Sequence, residues 1–430
     1  MIKIADKSSE MSVREETNSK HHSGCRFCGA ALEHTFVDLG ASPLAQSFLG
    51  QDQLNHMEPF YPLHVYVCGK CFLVQLQEFV APENIFSDYL YFASYSDSWL
   101  AHAKAYTDHM VQRFPINEKS LVVEIASNDG YLLQYFVEKK IPVLGVEPAA
   151  NVAAVATQKG IPSLVKFFNS DTARELVAKG QQADLLLGNN VLAHVPNINN
   201  FVAGMKILLK PTGVITMEFP HLMRLMKENQ FDTIYHEHFS YFSFLAVEKI
   251  FAAHGLTLFD VQELPTHGGS LRIFVRHAED SSKSVTARVT ELRSREQSEG
   301  FDQLETYSRF DEQVKETKRK LLEFLIHAKQ SGKSIAAYGA AAKGNTLLNY
   351  CGIREDFIDY VVDRSPHKQG KFLPGVRIPI YPPEHIRDTR PDYLLILPWN
   401  LKDEIMQQMS YIREWGGRFV VPIPEVRVYE

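Results

Sequence analysis

The sequence lacks the features that mark several classes of protein. It has no excess of basic residues, since Lys and Arg number 45 against 51 Asp and Glu, and the net charge is −6. This balance disfavours a nucleic-acid partner, which usually requires a basic surface. No apolar run approaches the roughly 18–20 residues of a membrane span. We therefore expect no nucleic-acid partner, no membrane association and a cytoplasmic location.

The start of the chain and its few cysteines exclude further classes. Residues 1–23 are polar and mixed in charge and have no apolar segment of a signal peptide, so we expect a disordered extension. Five cysteines among 430 residues are too few for a disulfide scaffold. By contrast, the apolar fraction of 45% supports well-formed cores, and the length predicts two or three domains.

Four of the cysteines form two C-x-x-C pairs. Cys25 and Cys28 make the first pair and Cys68 and Cys71 the second, which together supply four soft ligands for zinc. The alternative is a set of redox-active or unpaired cysteines. A closed four-thiolate site has no open coordination position, so we predict that this metal stabilises a zinc-binding domain and takes no part in chemistry. The remaining cysteine, Cys351, is expected to be a buried apolar residue.

A nucleotide-binding pattern begins at a buried strand over residues 121–125. The strand runs into the turn Ala-Ser-Asn-Asp-Gly, a helix, and a second strand that ends at Glu147. In such βαβ units the acid accepts hydrogen bonds from ribose hydroxyls. An acidic turn disfavours phosphate and favours a cationic adenosine ligand, S-adenosylmethionine; the alternative is a plain packing turn. The predicted cofactor-binding residues are Glu124, Ala126, Asn128, Asp129, Gly130, Glu147, Asn189 and Asn190.

The alternation of strands and helices continues and predicts an α/β protein with a doubly wound sheet over residues 81–281, preceded by the zinc-binding domain over 24–80. Residues 282–333 are predicted as a helical connector built on one long amphipathic helix, which acts as a strut or makes a dimer contact. A second nucleotide-like unit occupies residues 334–430. Its turn carries Lys343, which suits an anion such as a nucleotide diphosphate, although pure packing is the alternative.

The stretch over residues 231–244 combines adjacent proton-handling side chains with an aromatic surround. Tyr235, His236, Glu237 and His238 are consecutive, and a His beside a Glu in a dry pocket can act as a base near neutral pH. The stretch follows the carboxyl end of a predicted strand, so the base is expected on the ligand's side of the sheet. The alternative is a loop with satisfied polar side chains.

Residues 88–98 are dense in hydroxyl and aromatic side chains. They are too polar for a core strand and too aromatic for a plain linker. Either they pack one domain on another, or they line a pocket with Tyr89, Tyr91 and Tyr95.

Several motifs, taken in order, resemble the nucleotide-sugar C-methyltransferases that act on dTDP-linked keto-deoxysugars. They are the two C-x-x-C pairs, E-I-x-x-N-D-G at 124–130, Tyr-x-Glu-His at 235–238, His-Gly-Gly at 267–269, Y-G-A-x-A-K at 338–343 and P-E-V at 424–426. The resemblance covers residues 24–430. It implies a zinc domain, a class I methyltransferase domain that binds S-adenosylmethionine, and a second Rossmann-like domain, with the sugar nucleotide held between them.

The resemblance also implies residue roles. Tyr235, Glu237 and His238 match the catalytic group, together with Tyr89 or Tyr91, whereas the variable neighbour His236 is given no role. Ala126 is a departure, because methyltransferases usually have Gly at this position. The substrate-binding candidates in the matching motifs are His267, Gly268, Gly269, Tyr338, Lys343 and Asn345.

The expected reaction moves a methyl group from S-adenosylmethionine to a carbon beside a ketone. His238, oriented by Glu237, would remove a proton from that carbon, and Tyr235 or one of Tyr89 and Tyr91 would stabilise the enolate. A Tyr as the base is the alternative. An ordinary histidine base predicts a rate that rises with pH through about 6.5.

Other classes of function remain open at this point. They are a non-catalytic protein that binds nucleotide or cofactor, an O- or N-methyltransferase acting on another small molecule, and a zinc-ribbon nucleic-acid methyltransferase, which the acidic charge disfavours. Monomer and homodimer are both open.

Overall fold

The computed structural model describes residues 24–81 and 92–430. The predicted extension 1–23 and the candidates Tyr89 and Tyr91 lie outside the described residues. The strands are β1 (His34–Ser42), β2 (Tyr61–Val67), β3 (Val74–Leu76), β4 (Val122–Ile125), β5 (Val143–Val146), β6 (Ser163–Leu164), β7 (Ala183–Asn189), β8 (Leu209–Pro220), β9 (Ser240–Tyr241), β10 (Leu256–Leu264), β11 (Ser270–His277), β12 (Ile335–Tyr338), β13 (Tyr360–Val362), β14 (Ile380–Tyr381), β15 (Tyr393–Ile396), β16 (Arg418–Val421) and β17 (Arg427–Tyr429).

The helices alternate with these strands. They are α1 (Asp97–Arg113), α2 (Leu133–Glu138), α3 (Ala150–Gln158), α4 (Ser170–Ala178), α5 (Ile198–Leu208), α6 (Leu222–Lys227), α7 (Phe244–Ala253), α8 (Ala287–Ser298), α9 (Leu304–Ser308), α10 (Phe310–Gln330), α11 (Ala342–Cys351), α12 (His385–Thr389) and α13 (Lys402–Gln408). Within residues 24–81 and 92–430, no helix is both long and apolar enough to cross a bilayer.

The central sheet is a doubly wound α/β sheet, as predicted. Its strand order is β10-β11-β8-β7-β4-β5-β6, and β11 is antiparallel to both of its neighbours. The other pairs are parallel, and the four residues of β4 are all buried, as expected for a strand covered on both faces. The strand order reverses between β4 and β7, which is where open sheets bind ligands.

The C-terminal sheet repeats this arrangement. Its order is β14-β13-β12-β15-β16-β17, and the pairs are parallel except for β17 at one edge. The order reverses between β12 and β15, so a second crevice for ligands opens at their carboxyl ends. This confirms the predicted second Rossmann-like unit.

One strand of the N-terminal sheet, β9, comes from the region of the predicted base. Its order is β1-β2-β3-β9, and β9 pairs antiparallel with β3. The Leu76 amide also donates to the Phe239 carbonyl at 3.0 Å. The stretch 231–244 is therefore fastened to the domain that carries the paired cysteines.

The predicted long amphipathic helix is present as α10, which has 21 residues and buries Val314, Leu321 and Ala328. Two shorter helices, α8 and α9, precede it, and the chain turns between them at Gly300, where φ is +80°. Phe301 just after the turn is buried, and Tyr307 and Phe310 further on are buried as well, so the core-facing residues continue from the turn into α10. The ring of Phe310 stacks on Phe36 of β1 at 4.7 Å, so the connector packs against the N-terminal sheet.

Candidate active site

The turn after β4 has a backbone that allows a ligand to approach closely. Ala126, Asn128 and Gly130 have positive φ angles of 56°, 50° and 77°. Ala126 thus adopts the left-handed conformation that usually favours glycine, so the position where methyltransferases usually have Gly keeps a glycine-like backbone in spite of its Cβ atom. A side chain at Gly130 would also collide with Ile161, so glycine is required there.

Glu124 presents a buried carboxylate at the end of β4. Neither of its oxygens has a hydrogen-bond partner of good geometry among the described residues. Burial raises the pKa of Glu124 well above its ordinary value; the nearby Tyr131 hydroxyl opposes this, and the charges of Glu147 and Asp129 add to it. A cationic ligand would relieve this unfavourable burial, so the residue fits the positively charged S-adenosylmethionine.

Glu147 braces the same turn. Its Oε2 accepts a hydrogen bond from the Asn128 amide at 3.0 Å, and its Oε1 accepts one from the Ala149 amide at 2.9 Å. Burial raises the pKa of Glu147, and these two hydrogen bonds lower it. Each oxygen keeps a second lone pair, so the role of Glu147 as an acceptor from ribose hydroxyls stays a prediction.

Asp129 does not present a free charge to the ligand. Its Oδ2 lies 3.3 Å from the Lys159 ammonium, which also donates to the Asp129 backbone carbonyl at 2.9 Å. The Ser94 amide donates to the same Oδ2 at 3.4 Å. Because Lys159 offsets this charge, the argument for a cationic ligand rests on Glu124 and not on Asp129.

The two asparagines at the end of β7 connect the cofactor turn with the His-Gly-Gly motif. Asn189 donates to the Tyr131 hydroxyl at 3.3 Å, and Asn190 Nδ2 lies 2.8 Å from His267 Nε2. The Trp99 ring packs on both neighbours, with centroids 5.9 Å from Tyr131 and 5.1 Å from His267. The structure therefore brings the predicted cofactor and substrate residues together.

The His-Gly-Gly turn has a backbone that depends on its glycines. His267, Gly268 and Gly269 have φ angles of 54°, 90° and 116°. A Cβ atom at Gly268 would lie 2.5 Å from Cη2 of Trp399, which belongs to the C-terminal domain. Burial lowers the pKa of His267 to about 4, with the charge of Lys343 as the next cause. The turn is therefore a point of contact between the domains.

The buried carboxylate of Glu218 is hydrogen-bonded to Thr266, the residue just before this turn. Glu218 of β8 accepts from the Thr266 hydroxyl at 2.8 Å through Oε1. Its Oε2 lies 2.6 Å from Arg272 Nη2 and 3.0 Å from His102 Nε2. Burial alone would raise the pKa of Glu218, but the His102 hydrogen bond and the Arg272 charge lower it to about 2. The carboxylate is thus ionised and paired.

His238 is held as a neutral imidazole. Its Nδ1 lies 2.9 Å from the Thr233 carbonyl, and because a carbonyl oxygen can only accept, Nδ1 carries the hydrogen and Nε2 is the unprotonated nitrogen. Burial lowers the pKa of His238 well below its ordinary value; His194, His267 and Lys343 also lower it, against the Thr233 carbonyl. A general base requires this protonation state.

Other rings surround His238. The Tyr235 ring centroid lies 4.1 Å from that of His238, and the His194 ring meets it edge-on at 4.7 Å. Glu237 is buried. The Thr233 carbonyl holds Nδ1 of His238, and the expectation that Glu237 orients His238 stays a prediction.

His236 faces away from this group. Its Nε2 donates to the Pro62 carbonyl at 3.1 Å, and its ring packs edge-on against Tyr61 of β2 at 5.9 Å. It therefore joins residues 231–244, the predicted catalytic stretch, to the N-terminal sheet, in keeping with the absence of an assigned role.

The Lys343 side chain lies beside Trp399, the residue that contacts the His-Gly-Gly turn. It lies in the first turn of α11, its Nζ donates to Asn400 Oδ1 at 2.7 Å, and it sits 4.4 Å above the Trp399 ring. Trp399 in turn donates to Asp232 Oδ2 at 2.8 Å. Burial lowers the pKa of Lys343, whereas the charge of Asp232 raises it.

Two other substrate candidates are hydrogen-bonded within the C-terminal domain. The Tyr338 hydroxyl donates to Gln408 Oε1 at 3.3 Å, and Asn345 Oδ1 accepts from Asn349 Nδ2 at 3.2 Å. Among the hydrogen bonds of the described residues, none joins either side chain to the histidines. Lys343 is the candidate of this domain that reaches the shared site.

The paired cysteines converge as predicted. The four Sγ atoms lie within 4.8 Å of one another, and the Cys25–Cys71 and Cys28–Cys68 distances are both 3.5 Å. A tetrahedral zinc with Zn–S bonds of ~2.3 Å needs sulfur atoms about 3.8 Å apart. The Gln75 amide donates to Cys25 Sγ at 3.2 Å, as outer partners of metal ligands do. The arrangement fits a closed structural zinc site.

Comparison with known proteins places this site in a family. A putative zinc binding domain matches residues 25–86, a methyltransferase domain matches 99–261 and a C-methyltransferase C-terminal domain matches 265–424. The C-methyltransferase NovU from Streptomyces niveus is 38% identical over 404 residues, which cover 94% of this chain and 96% of that protein. The chain belongs to the C-methyltransferase family.

The C-methyltransferase is also similar to proteins that share only part of its length. A ubiquinone biosynthesis O-methyltransferase from Rhodopseudomonas palustris (strain BisA53) is 25% identical over 117 residues, 26% of this chain and 46% of that protein. The crystal structure of a magnesium protoporphyrin IX methyltransferase from Synechocystis with bound SAH gives a TM-score of 0.33 at 13% identity, over 41% of this chain and 82% of that one. The full-length relative carries the family assignment.

These findings confirm the predicted fold class, family and enzyme class. The C-methyltransferase uses S-adenosylmethionine, and its four clustered cysteines belong to a zinc-binding domain. The division at residues 80, 281 and 333 and the individual site roles stay predictions.

The sequence interpretation missed several residues that build the site. His194 follows the carboxyl end of β7 and Trp399 follows that of β15, and each strand borders a switch point where ligand groups gather, so position was an available signal. Thr233 acts through its backbone carbonyl, which no side-chain pattern reveals.

Proposed function

We propose that this enzyme methylates a carbon next to the ketone of a nucleotide-linked deoxysugar, with a dTDP-4-keto sugar as the favoured substrate. The observation that carries the proposal is the neutral imidazole of His238, whose Nδ1 is held by the Thr233 carbonyl. Such a base can remove a hydrogen from a carbon beside a ketone when the site stabilises the negative charge that spreads onto oxygen. Methylation at carbon requires this proton to be removed.

The cofactor would lie at the carboxyl ends of β4, β5 and β7. When bound, S-adenosylmethionine supplies a methyl group on a positively charged sulfur to the substrate carbon. Glu124 would face the cationic part, Glu147 would accept from the ribose, and Asn189 would complete the site. The buried carboxylate of Glu124, whose oxygens have no hydrogen bond of good geometry among the described residues, supports this placement.

The proton would pass to His238 Nε2 as the carbon is activated. Tyr235, whose ring lies 4.1 Å from that of His238, is a candidate donor to the developing negative charge, together with Tyr89 or Tyr91. Glu237 would support the same group from the adjacent position. These roles follow the family motif at residues 235–238.

The substrate would be held between the two Rossmann-like domains. His267, Gly268 and Gly269 border this space on one side, and Trp399 and α11 border it on the other. The crevice between β12 and β15 suits a nucleotide diphosphate by its position at a switch point. Holding the sugar by its nucleotide would fix the reacting carbon against His238.

Location and assembly are part of the same proposal. A zinc site of four thiolates suits a reducing compartment, which favours the cytoplasm. Monomer and homodimer are both compatible with the proposed chemistry.

The proposal is tested by a substrate screen. Purified enzyme is incubated with dTDP-, UDP-, GDP- and CDP-linked 4-keto sugars and an isotopically labelled methyl donor, and the product is examined by NMR. We expect a new carbon–carbon bond next to the ketone. A methyl group on oxygen would refute the mechanism, and turnover of none of the sugars would refute the substrate class.

A further inference from the structure

Lys343 stands at the switch point of the C-terminal sheet. It follows β12, and its hydrogen-bond partner Asn400 follows β15, so the two side chains meet across the crevice between these strands. The ammonium also rests 4.4 Å above the Trp399 ring. Such a contact holds a cation without using its N–H groups.

The predicted catalytic stretch packs directly against the helix that carries Lys343 and against Trp399. Thr346, one turn along α11 from Lys343, donates to the Ile234 carbonyl at 2.9 Å. Asp232 accepts from Trp399 Nε1 at 2.8 Å. Both Ile234 and Asp232 precede His238 by only a few residues, so the ammonium and the imidazole are carried by packed neighbours.

The ammonium keeps unused donors. Among the described residues its hydrogen bond goes to Asn400 alone, whereas an ammonium group has three N–H donors. Asp232 lies close enough for its charge to act on Lys343, and Lys343 in turn acts on His238 and His267. A cation with donors to spare thus borders the space that these two histidines share.

We infer that Lys343 is a further catalytic residue, which donates a hydrogen bond to the ketone oxygen of the substrate and stabilises the negative charge that forms there. The inference rests on the proposed function. It differs from the sequence expectation, in which Lys343 binds the diphosphate as an anion anchor.

The proton-transfer step balances with these groups. The C–H bond next to the ketone breaks, its proton goes to His238 Nε2, and its electron pair forms the C=C bond of the enolate. The carbonyl π electrons move to oxygen, and Lys343 donates a hydrogen bond to that oxygen without giving up a proton. The cation also disfavours protonation of His238 until the negative oxygen has formed, which ties the two events together.

The test compares three variants with the wild-type enzyme. Lys343→Met keeps much of the side-chain volume and removes the charge. Lys343→Met combined with Asp232→Asn also removes the opposing carboxylate while keeping an acceptor for Trp399, so it protects the fold. The matched control is Lys179→Met, an exposed lysine that bonds Glu175 at the end of α4.

Two quantities are measured for each variant. The first is kcat and KM for the dTDP-4-keto sugar, and the second is exchange of the substrate's α proton with heavy water, with S-adenosylhomocysteine in place of the methyl donor. We expect kcat and exchange to fall together by about 10²–10³-fold in both Lys343 variants, the usual effect of losing one donor to a developing oxyanion. KM should stay within about threefold of the wild-type value, because uniform binding is not the interaction lost.

Each other outcome overturns the inference. A raised KM with kcat and exchange intact would make Lys343 a diphosphate anchor, and intact exchange with slow methylation would place its charge after enolate formation. Loss of cofactor binding in both variants would make it a packing residue. If the wild-type enzyme shows neither turnover nor exchange, the proposed function itself fails, and this role fails with it.

Discussion

At the scale of single residues, the site depends on how one imidazole is held. The Thr233 carbonyl takes the Nδ1 hydrogen of His238 at 2.9 Å, so Nε2 keeps a lone pair. Burial and neighbouring cationic or ionisable groups keep the ring neutral. A base that is already deprotonated needs no preceding proton loss.

We predict that His238→Asn slows methylation by roughly 10²–10⁴-fold, the usual contribution of a general base, while both ligands still bind. Proton exchange in heavy water with S-adenosylhomocysteine should disappear in the same variant. Turnover and exchange are measured against a reaction without enzyme, because keto sugars exchange slowly on their own.

Tyr235→Phe is the informative companion to this variant. If exchange persists in His238→Asn but stops in Tyr235→Phe, a tyrosine is the base and His238 only stabilises charge. Exchange that persists in both variants would make Tyr89 and Tyr91 the candidates for the base.

The pH dependence follows from the lowered pKa of His238. A base works when it is deprotonated, so activity is lost as the pH falls through its pKa in the enzyme. Because burial moves this pKa well below the ordinary ~6.5, we expect kcat/KM to be flat from about pH 7 upward and to fall only in more acidic solution. A profile that climbs steadily between pH 6.5 and 8 would contradict this.

At the scale of secondary-structure elements, the turn after β4 is held by an acid from the next strand. Glu147 joins the Asn128 amide of the turn to the Ala149 amide before α3. Its carboxylate therefore shapes the turn, and we expect its remaining lone pairs to accept from a ribose. Both roles would act on the same ligand.

We predict that Glu147→Ala weakens S-adenosylmethionine binding by roughly tenfold or more, since a hydrogen bond to a charged group is worth about 1.5–3 kcal/mol. Calorimetry measures the dissociation constant, and Asp171→Ala on the exposed start of α4 serves as control. An unchanged constant would mean that Glu147 does not contact the cofactor and that its bonds to the turn do not affect cofactor binding. Affinity for the sugar nucleotide should change little.

The predicted catalytic stretch is hydrogen-bonded to the N-terminal sheet and to α8. β9 pairs with β3 of the N-terminal sheet, and Glu296 of α8 accepts from the Phe244 and Leu245 amides at the start of α7, at 2.7 and 2.9 Å. The same carboxylate lies 2.6 Å from His221 Nε2. Together with the hydrogen bond from Thr346 to the Ile234 carbonyl, which lies before His238, these contacts limit the positions that the histidine can take.

At the scale of the whole molecule, the zinc-binding domain supports the active site through shared packing. Arg26, inside the first C-x-x-C pair, donates to the Pro196 carbonyl of the central domain at 2.8 Å. Asn199 donates back to the Phe27 carbonyl at 2.8 Å. The paired cysteines and the central sheet are therefore joined by hydrogen bonds in both directions.

We predict one zinc ion per chain and unstable or insoluble protein for Cys25→Ser, because closed thiolate sites contribute folding free energy. Metal analysis and thermal unfolding check this. Cys351→Ser is the matched control: Cys351 is buried outside the cluster, so zinc content should stay at one per chain. Wild-type protein that contains no zinc would refute the assignment.

Much of this architecture could be predicted because local sequence patterns indicate it. Buried apolar runs marked β4, β7 and β8, the paired cysteines marked the zinc site, and small-residue turns marked both switch points. The connector shows the limit of such patterns: the periodicity from Phe301 onward marked α10, but it did not reveal the separate short helix α9 before it.

The sequence by itself thus determined the order of the domains, the class of fold and the residue types that gather at the strand ends. Only the tertiary structure decided that Lys159 offsets Asp129, that the Thr233 carbonyl holds His238, and that Lys343 turns toward Trp399. The physical reason is that orientation and pKa depend on burial and on partners. Apart from Thr233, these partners come from distant parts of the chain, and no local pattern encodes such contacts.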